Sequence, residues 1–355
     1  MTAPPHTWRL AALGLLALAG ALGSAALGTG QEARAHFLTR WGGPRLRVRA
    51  RARTGALPKS VRVSPDGTRL VVCNFGQQGA DSVFVYDAMT LERVGVVGFA
   101  GNPVEAAFAP DGRTVYVSNF RRHLVEVIDL AAMAVRREIP VGRYPKALTV
   151  SPDGRRLYVA NYGEASVSIV DLAQEREVRR LRTGERPRGV GLLADGRVVA
   201  AAFRDHLFHL FAPASVEEQA RWTACRAPRD IVTSPDRRAF YATCSRGYIG
   251  FYRPEDAGRP FGVAPAGRNP RSLAISGDGR FLGVANFSSR DVALIDTQRR
   301  THRRHRIEDA GRIVGVALHP GAALRLYATS WDTAELLLLT PRRAPAALPS
   351  PQHLP

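Results

Sequence analysis

The sequence predicts an all-β fold, a seven-bladed β-propeller of four-stranded antiparallel blades whose ring is closed by an N-terminal latch strand. Three observations lead there. A Ser-Pro-Asp-Gly-type tetrapeptide recurs with its third residue at 66, 111, 153, 195, 236, 278 and 321, in steps of 45, 42, 42, 41, 42 and 43. A period in that range is the signature of propeller blades. Each period also holds room and pattern for four short strands.

The tetrapeptide has type I turn chemistry, with Ser first, Pro supplying a preset φ, Asp third and Gly fourth. It therefore joins two antiparallel strands. In the third copy, residues 147–150 alternate into the turn, 156–160 leave it, 166–172 make a third strand and 176–183 a fourth. Copies two, five and six depart from the consensus at one position and copy four at two, and the seventh, His319-Pro320-Gly321-Ala322, is degraded.

The ring needs a closing device. Residues 45–55 match the outer strand that precedes later copies, while the last copy stops after its third strand at 334–340. The N-terminal strand is thus expected to complete the last blade and remove two sheet edges. The chain divides into residues 1–35, a propeller at 36–340 and a proline-rich tail at 341–355 that is expected to be disordered or extended.

Just after the turns stand Val72-Cys73-Asn74-Phe75, Tyr116-Val117-Ser118-Asn119-Phe120, Tyr158-Val159-Ala160-Asn161-Tyr162 and Val284-Ala285-Asn286-Phe287. These resemble the Tyr-Val-Thr-Asn (YVTN) repeat β-propellers, similar in overall shape to bacterial lactonase-type propellers. The motif is eroded at Ala201-Ala202-Phe203, Thr243-Cys244-Ser245 and Thr329-Ser330-Trp331. The resemblance implies architecture first and an extracytoplasmic binding role second.

Arg9 precedes an uncharged Leu/Ala/Gly stretch over 10–28, and Ala33-Arg34-Ala35 has the small-x-small form of a cleavage site, with Gly23-Ser24-Ala25 as a second candidate. Residues 1–35 read as a signal peptide or an uncleaved membrane anchor, so the expected location is periplasmic or secreted. Membrane contact would come through this segment. Cys225 and Cys244 flank the fifth turn on adjacent strands, where a disulfide and two reduced, buried thiols are both compatible with the pattern. Cys73, within a strand, reads as core.

The formal net charge is +19, and of 50 basic residues only Lys59 and Lys146 are lysines. Part of that charge reflects an arginine-favouring composition. The alternating Arg45, Arg47, Arg49, Arg51 and Arg53, and the run 299–306, read as charge-protected edge strands. A better-placed set follows from Gly-x-x-Pro, which precedes most first strands. The residue after the proline position is Lys59, Val104, Lys146, Arg188, Arg229, Arg271 and Val314 in turn, basic in five blades. First strands line a propeller's channel, so Lys59, Lys146, Arg188, Arg229 and Arg271 should converge at the mouth opposite the Ser-Pro-Asp-Gly turns. Converging like charges make that mouth the default ligand site. The asparagines nearby read as structural loop caps.

Catalytic and metal motifs are weak. His206 and His209, three apart in a strand, point to opposite faces, and the sequence carries no haem-attachment motif, nucleophile elbow or phosphate loop. No cofactor or metal is expected. The favoured reading is a non-catalytic, monomeric, extracytoplasmic binding or scaffold propeller engaging an anionic small molecule, an envelope glycan or an acidic protein partner. The alternative is a lactonase-like hydrolase acting on an acidic sugar lactone, with Glu105 and Asp230 as its only candidate general bases. An unpaired carboxylate in the mouth is its requirement. Nucleic acid is disfavoured as a partner by export and by an absence of aromatics among the basic clusters.

Overall fold

The computed structural model describes residues 37–76, 79–212 and 217–342. The expected leader or anchor at 1–35, with its cleavage sites, lies outside the described residues, as does the tail from 343 onward. Among the described residues no helix is long and apolar enough to cross a membrane.

Seven antiparallel four-stranded blades make the ring, and the sheets of the fifth and sixth blades each gain a short fifth strand from the N-terminal segment. The inner strands of the blades are Pro58–Val63, Pro103–Phe108, Pro145–Val150, Pro187–Leu192, Pro228–Thr233, Pro270–Ile275 and Ile313–Leu318. Each neighbours the next around the channel, and the seventh neighbours the first. The second and third strands are buried on both sides because blades stack face to face, whereas outer strands such as Leu46–Arg53 and Glu218–Thr223 alternate half-buried and exposed. The core is accordingly a set of clusters between neighbouring blades. Val71, Val83 and Val97 of the first blade, for instance, pack on Val115, Val117 and Ile128 of the second.

The recurrent turns close as their chemistry dictates. The amide of Gly67 donates to Ser64 O at 2.9 Å, and the same bond recurs from Gly112, Gly154, Gly196, Arg237 and Gly279. The fourth residue has positive φ in each of these, +76° at Gly67, which favours glycine. Arg237 holds φ +55° without that freedom, at a cost of roughly 1 kcal/mol. In the degraded seventh copy, His319 Nε2 instead reaches Gly67 O of the first blade at 3.1 Å.

The segment before the first blade touches three sheets. Phe37–Leu38 adds parallel to Gly262–Pro265 of the fifth blade, Arg40–Trp41 adds parallel to Thr301–Arg306 of the sixth, and Leu46–Arg53 pairs antiparallel with Glu335–Pro341 of the seventh. The first two pairings carry too little sequence pattern to be foreseen. The third strand of the seventh blade extends through Pro341, one residue into the expected tail. The third blade's third and fourth strands, Ser166–Asp171 and Arg176–Arg182, each end one residue earlier than the pattern suggested.

Candidate functional site: a cation and aromatic ring at one channel mouth

Five of the seven blades, the first and the third to sixth, enter the channel through the same local geometry. The proline that begins an inner strand lies opposite the end of the second strand, Pro58 against Asn74, Pro145 against Asn161 and Pro270 against Asn286. The residue before it adopts the left-handed conformation, with φ 50° at Leu57, 54° at Tyr144, 55° at Arg186 and 56° at Asn269. That geometry turns its carbonyl toward the second strand's end, where it accepts the amide of Phe75, Tyr162, Phe203 or Phe287 at 3.1 to 3.2 Å. Two side chains are thereby fixed: the basic residue after the proline and the aromatic after the asparagine.

The asparagines are structural. Asn119 Nδ2 donates to Ala100 O at 2.7 Å and Glu126 Oε1 at 2.8 Å, Asn161 Nδ2 to Ser168 Oγ at 2.8 Å, and Asn286 Nδ2 to Asp291 Oδ1 at 2.7 Å. Each is fully buried. A Cβ added at Gly55, Gly142 or Gly267 would lie within 2.8 Å of Asn74, Asn161 or Asn286, so the glycine of Gly-x-x-Pro exists to admit the asparagine. In the fifth blade Cys225 occupies the glycine position and Cys244 the asparagine position, and the two are joined by a disulfide with Cα atoms 5.6 Å apart. Cys73 is free and buried.

Lys59, Lys146, Arg188, Arg229 and Arg271 come together around one small cavity of about 30 Å³, with Val104, Glu105, Ala147 and Asp230 completing its lining. That volume is on the order of a single water site. None of the five cations forms an ion pair within 4 Å among the described residues. The Nε atoms of Arg188, Arg229 and Arg271 are buried without a hydrogen-bond partner.

Aromatic rings interleave with these cations, contrary to the expectation from sequence. Lys146 Nζ stands 4.7 Å from the Phe120 ring centre and 4.8 Å from that of Tyr162. Arg188 lies 4.9 Å from Tyr162 and 4.4 Å from Phe203, and Arg229 lies 4.7 Å from Phe203. Arg271 lies 3.4 Å from Phe287. Phe120 belongs to the second blade and Lys146 to the third, so a ring from one blade clasps the cation of the next. Such contacts contribute about 0.5–2 kcal/mol each, more when desolvated. The signal was present as an aromatic after most second strands, at 75, 120, 162, 203, 287 and 331. Only the fifth blade, with Ser245, lacks one.

Burial is the main cause of the site's electrostatics. It lowers Lys59 to about 8, with Arg271, Arg188 and Arg229 pushing the same way and Glu105 opposing. Lys146 is also lowered, by burial and then by Arg188 and Lys59. Arg229 falls to about 9 and Arg271 to about 10 through burial and neighbouring guanidiniums. Arginine holds its proton at neutral pH even so. Its lowered proton affinity reflects burial among like charges.

Below the ring the channel is plugged. Arg62 Nη2 donates to Glu105 Oε2 at 2.8 Å, with 29% and 17% of the two side chains open, and that exposure is to the lumen. Asp230 accepts from the amides of Ile231 at 3.0 Å and Leu273 at 2.8 Å, one bond to each oxygen. Burial, reinforced by Glu105, raises its pKa. Beyond the plug, a funnel of about 470 Å³ opens at the turn face, walled by residues such as Phe108, Leu148, Val150 and Ile275, with Arg62 and Asp230 at its floor.

The histidines considered from sequence are structural. His209 contacts Glu218 Oε1 at 2.6 Å and accepts the Gly184 amide at 2.9 Å, and His206 contacts Phe203 O and the Ala227 amide. Among the described residues no cluster of three or more metal-ligating side chains occurs.

Fold and site together define a β-propeller protein with a basic, aromatic-lined channel mouth. Residues 45–197, the first part of the ring, match the family model described as YNCE-like beta-propeller. No curated protein matches the chain. Among many similar solved structures is Kuenenia stuttgartiensis hydrazine synthase, 22% identical, with TM-score 0.70 over 81% of this chain and 96% of that one. At that identity the likeness is one of fold.

Proposed function

We propose that this protein is an extracytoplasmic, non-catalytic binding propeller of the Tyr-Val-Thr-Asn repeat type, whose basic mouth takes a compact anion, free or as the acidic end of a larger partner. The observation that carries the reading is the ring itself: five cations around one cavity without a carboxylate ion pair, three of them with an unpartnered Nε. Buried like charges repel unless an anion offsets them. A bound carboxylate or phosphate would accept those unused donors in charge-assisted hydrogen bonds.

The hydrolase reading loses its support at the plug. Its general base had to be a free carboxylate, whereas Glu105 is paired with Arg62 and both oxygens of Asp230 accept backbone amides.

The test is a thermal-shift series on the full chain in CO2-free buffer, with phosphate, citrate, glucuronate and galacturonate as probes. A ligand that binds the native state raises the melting temperature by mass action. At least one anion should stabilise the parent and not the Arg229→Ala/Arg271→Ala variant. Equal response of parent and variant, or none, sinks the proposal.

A further inference from the structure

Fifty basic residues include two lysines, which leaves 50 − 2 = 48 arginines, yet both lysines stand in the mouth ring. Arginine serves everywhere else. What lysine adds at such a position is an amine that can lose its proton and become a nucleophile when it is desolvated and set beside other cations.

The two lysines are not equivalent. Lys146 is clasped between Phe120 and Tyr162, contacts that favour its charged form. Lys59 has no hydrogen bond, ion pair or ring contact among the described residues, and it lines the small cavity with Arg188, Arg229 and Arg271. The groups facing it are Glu105, which favours the ammonium, and those three arginines, which oppose it.

We propose that Lys59 is a carbon dioxide site: its neutral amine adds CO2 to form a carbamate held by the guanidiniums of Arg188, Arg229 and Arg271. The nitrogen lone pair forms the N–C bond, one C=O π pair moves onto oxygen, and an N–H proton leaves to solvent. No oxidant or reductant takes part. Loss of one ammonium and gain of one anion lower the ring's formal charge by two, which relieves the crowding of like charges around Lys59. The cavity, about 30 Å³, suits a triatomic electrophile better than a larger carbonyl compound. The buried, unused Nε donors of Arg188, Arg229 and Arg271 supply what the new oxygens need. A lowered amine pKa near 8 leaves a reactive neutral fraction at neutral pH.

This inference rests on the same uncompensated ring as the proposed ligand site but on a different reactant, so the two fail separately. Anion binding is read without CO2, and carbamate without added ligand. The chain offers only Lys59, Lys146 and the α-amine as primary amines, which makes the assay clean. The purified full chain is equilibrated with ¹³C-bicarbonate and observed by ¹³C NMR, and a second sample is trapped with triethyloxonium and mapped by peptide mass.

A carbamate resonance should appear, vanish in Lys59→Arg and persist in Lys146→Arg. At fixed dissolved CO2 and low occupancy it should weaken roughly a hundredfold per pH unit below about 8, because the ammonium must lose one proton and carbamate formation releases a second. The trapped ester should map to Lys59 in the parent, a result that stands even if Lys59→Arg fails to fold. Absence of the resonance in the parent, or an ester confined to Lys146 or the α-amine, overturns the proposal.

Discussion

Arg62 Nη2 lies 2.8 Å from Glu105 Oε2, tying the inner strand of the first blade to that of the second and separating the cation ring from the apolar funnel. The pair is open only to the lumen, so it is less screened than a surface pair and less costly than a fully buried one. Glu105→Gln leaves the Arg62 guanidinium without its counter-charge and should lose about 2 kcal/mol of stability. Urea unfolding checks this. Adding Arg62→Met should recover much of the loss, and strictly additive effects would show that the pair is not coupled.

Lys59 gives the protein a pH-dependent weakness. Its folded pKa, about 8, lies below the ordinary 10.5, so the unfolded chain binds more protons between those values. Stability therefore rises as pH climbs from 8 to 10.5, and the penalty is fully present below 8. Lys59→Met should raise stability at pH 7 by up to about 3 kcal/mol, with the gain shrinking toward pH 10.5. An advantage that stays constant with pH would assign the effect to packing instead.

His305 couples the sixth blade's outer strand to the N-terminal strand of the seventh, because the Leu46 amide donates to its Nδ1 at 3.2 Å. Burial, with Arg303 adding to it, lowers His305 to about 4. A depressed histidine pKa means stability that is present above 6.5 and lost as pH falls toward 4. Melting curves of parent and His305→Gln should converge over that window, the parent losing roughly 1–3 kcal/mol more than the variant. Parallel acid profiles would remove His305 from the account.

The Cys225–Cys244 bond spans a sequence separation of 19 and should contribute about 3 kcal/mol. Reduction should lower the melting temperature accordingly. The other blades supply a sharper comparison, since their glycine and asparagine occupy the two positions. Under reducing conditions Cys225→Gly/Cys244→Asn should be more stable than Cys225→Ser/Cys244→Ser by about 1 kcal/mol, one additional buried hydrogen bond. Equal stabilities would mean that the glycine–asparagine contact is specific to its own blades.

The seven-bladed ring and the convergence of Lys59, Lys146, Arg188, Arg229 and Arg271 were legible in the sequence because each depends on register within a repeat. A residue directly after the proline at the start of an inner strand faces the channel in every blade, and the period of about 42 residues makes the copies comparable. The glycine and asparagine positions were equally visible, although the reason for their pairing was not.

What the sequence could not show are contacts between blades. Phe120 clasps Lys146 across 26 residues, and Arg62 reaches Glu105 across 43. Neither separation marks the residues as partners. In the linear chain the aromatics end second strands while the cations begin first strands, so the two sets look unconnected. Curving the sheets into a ring brings the end of one blade's second strand beside the start of the next blade's first. That closure adds a ring from one blade to the cation of the next, ties Glu105 to Arg62, and leaves Lys59 without a partner among the described residues at the cavity wall.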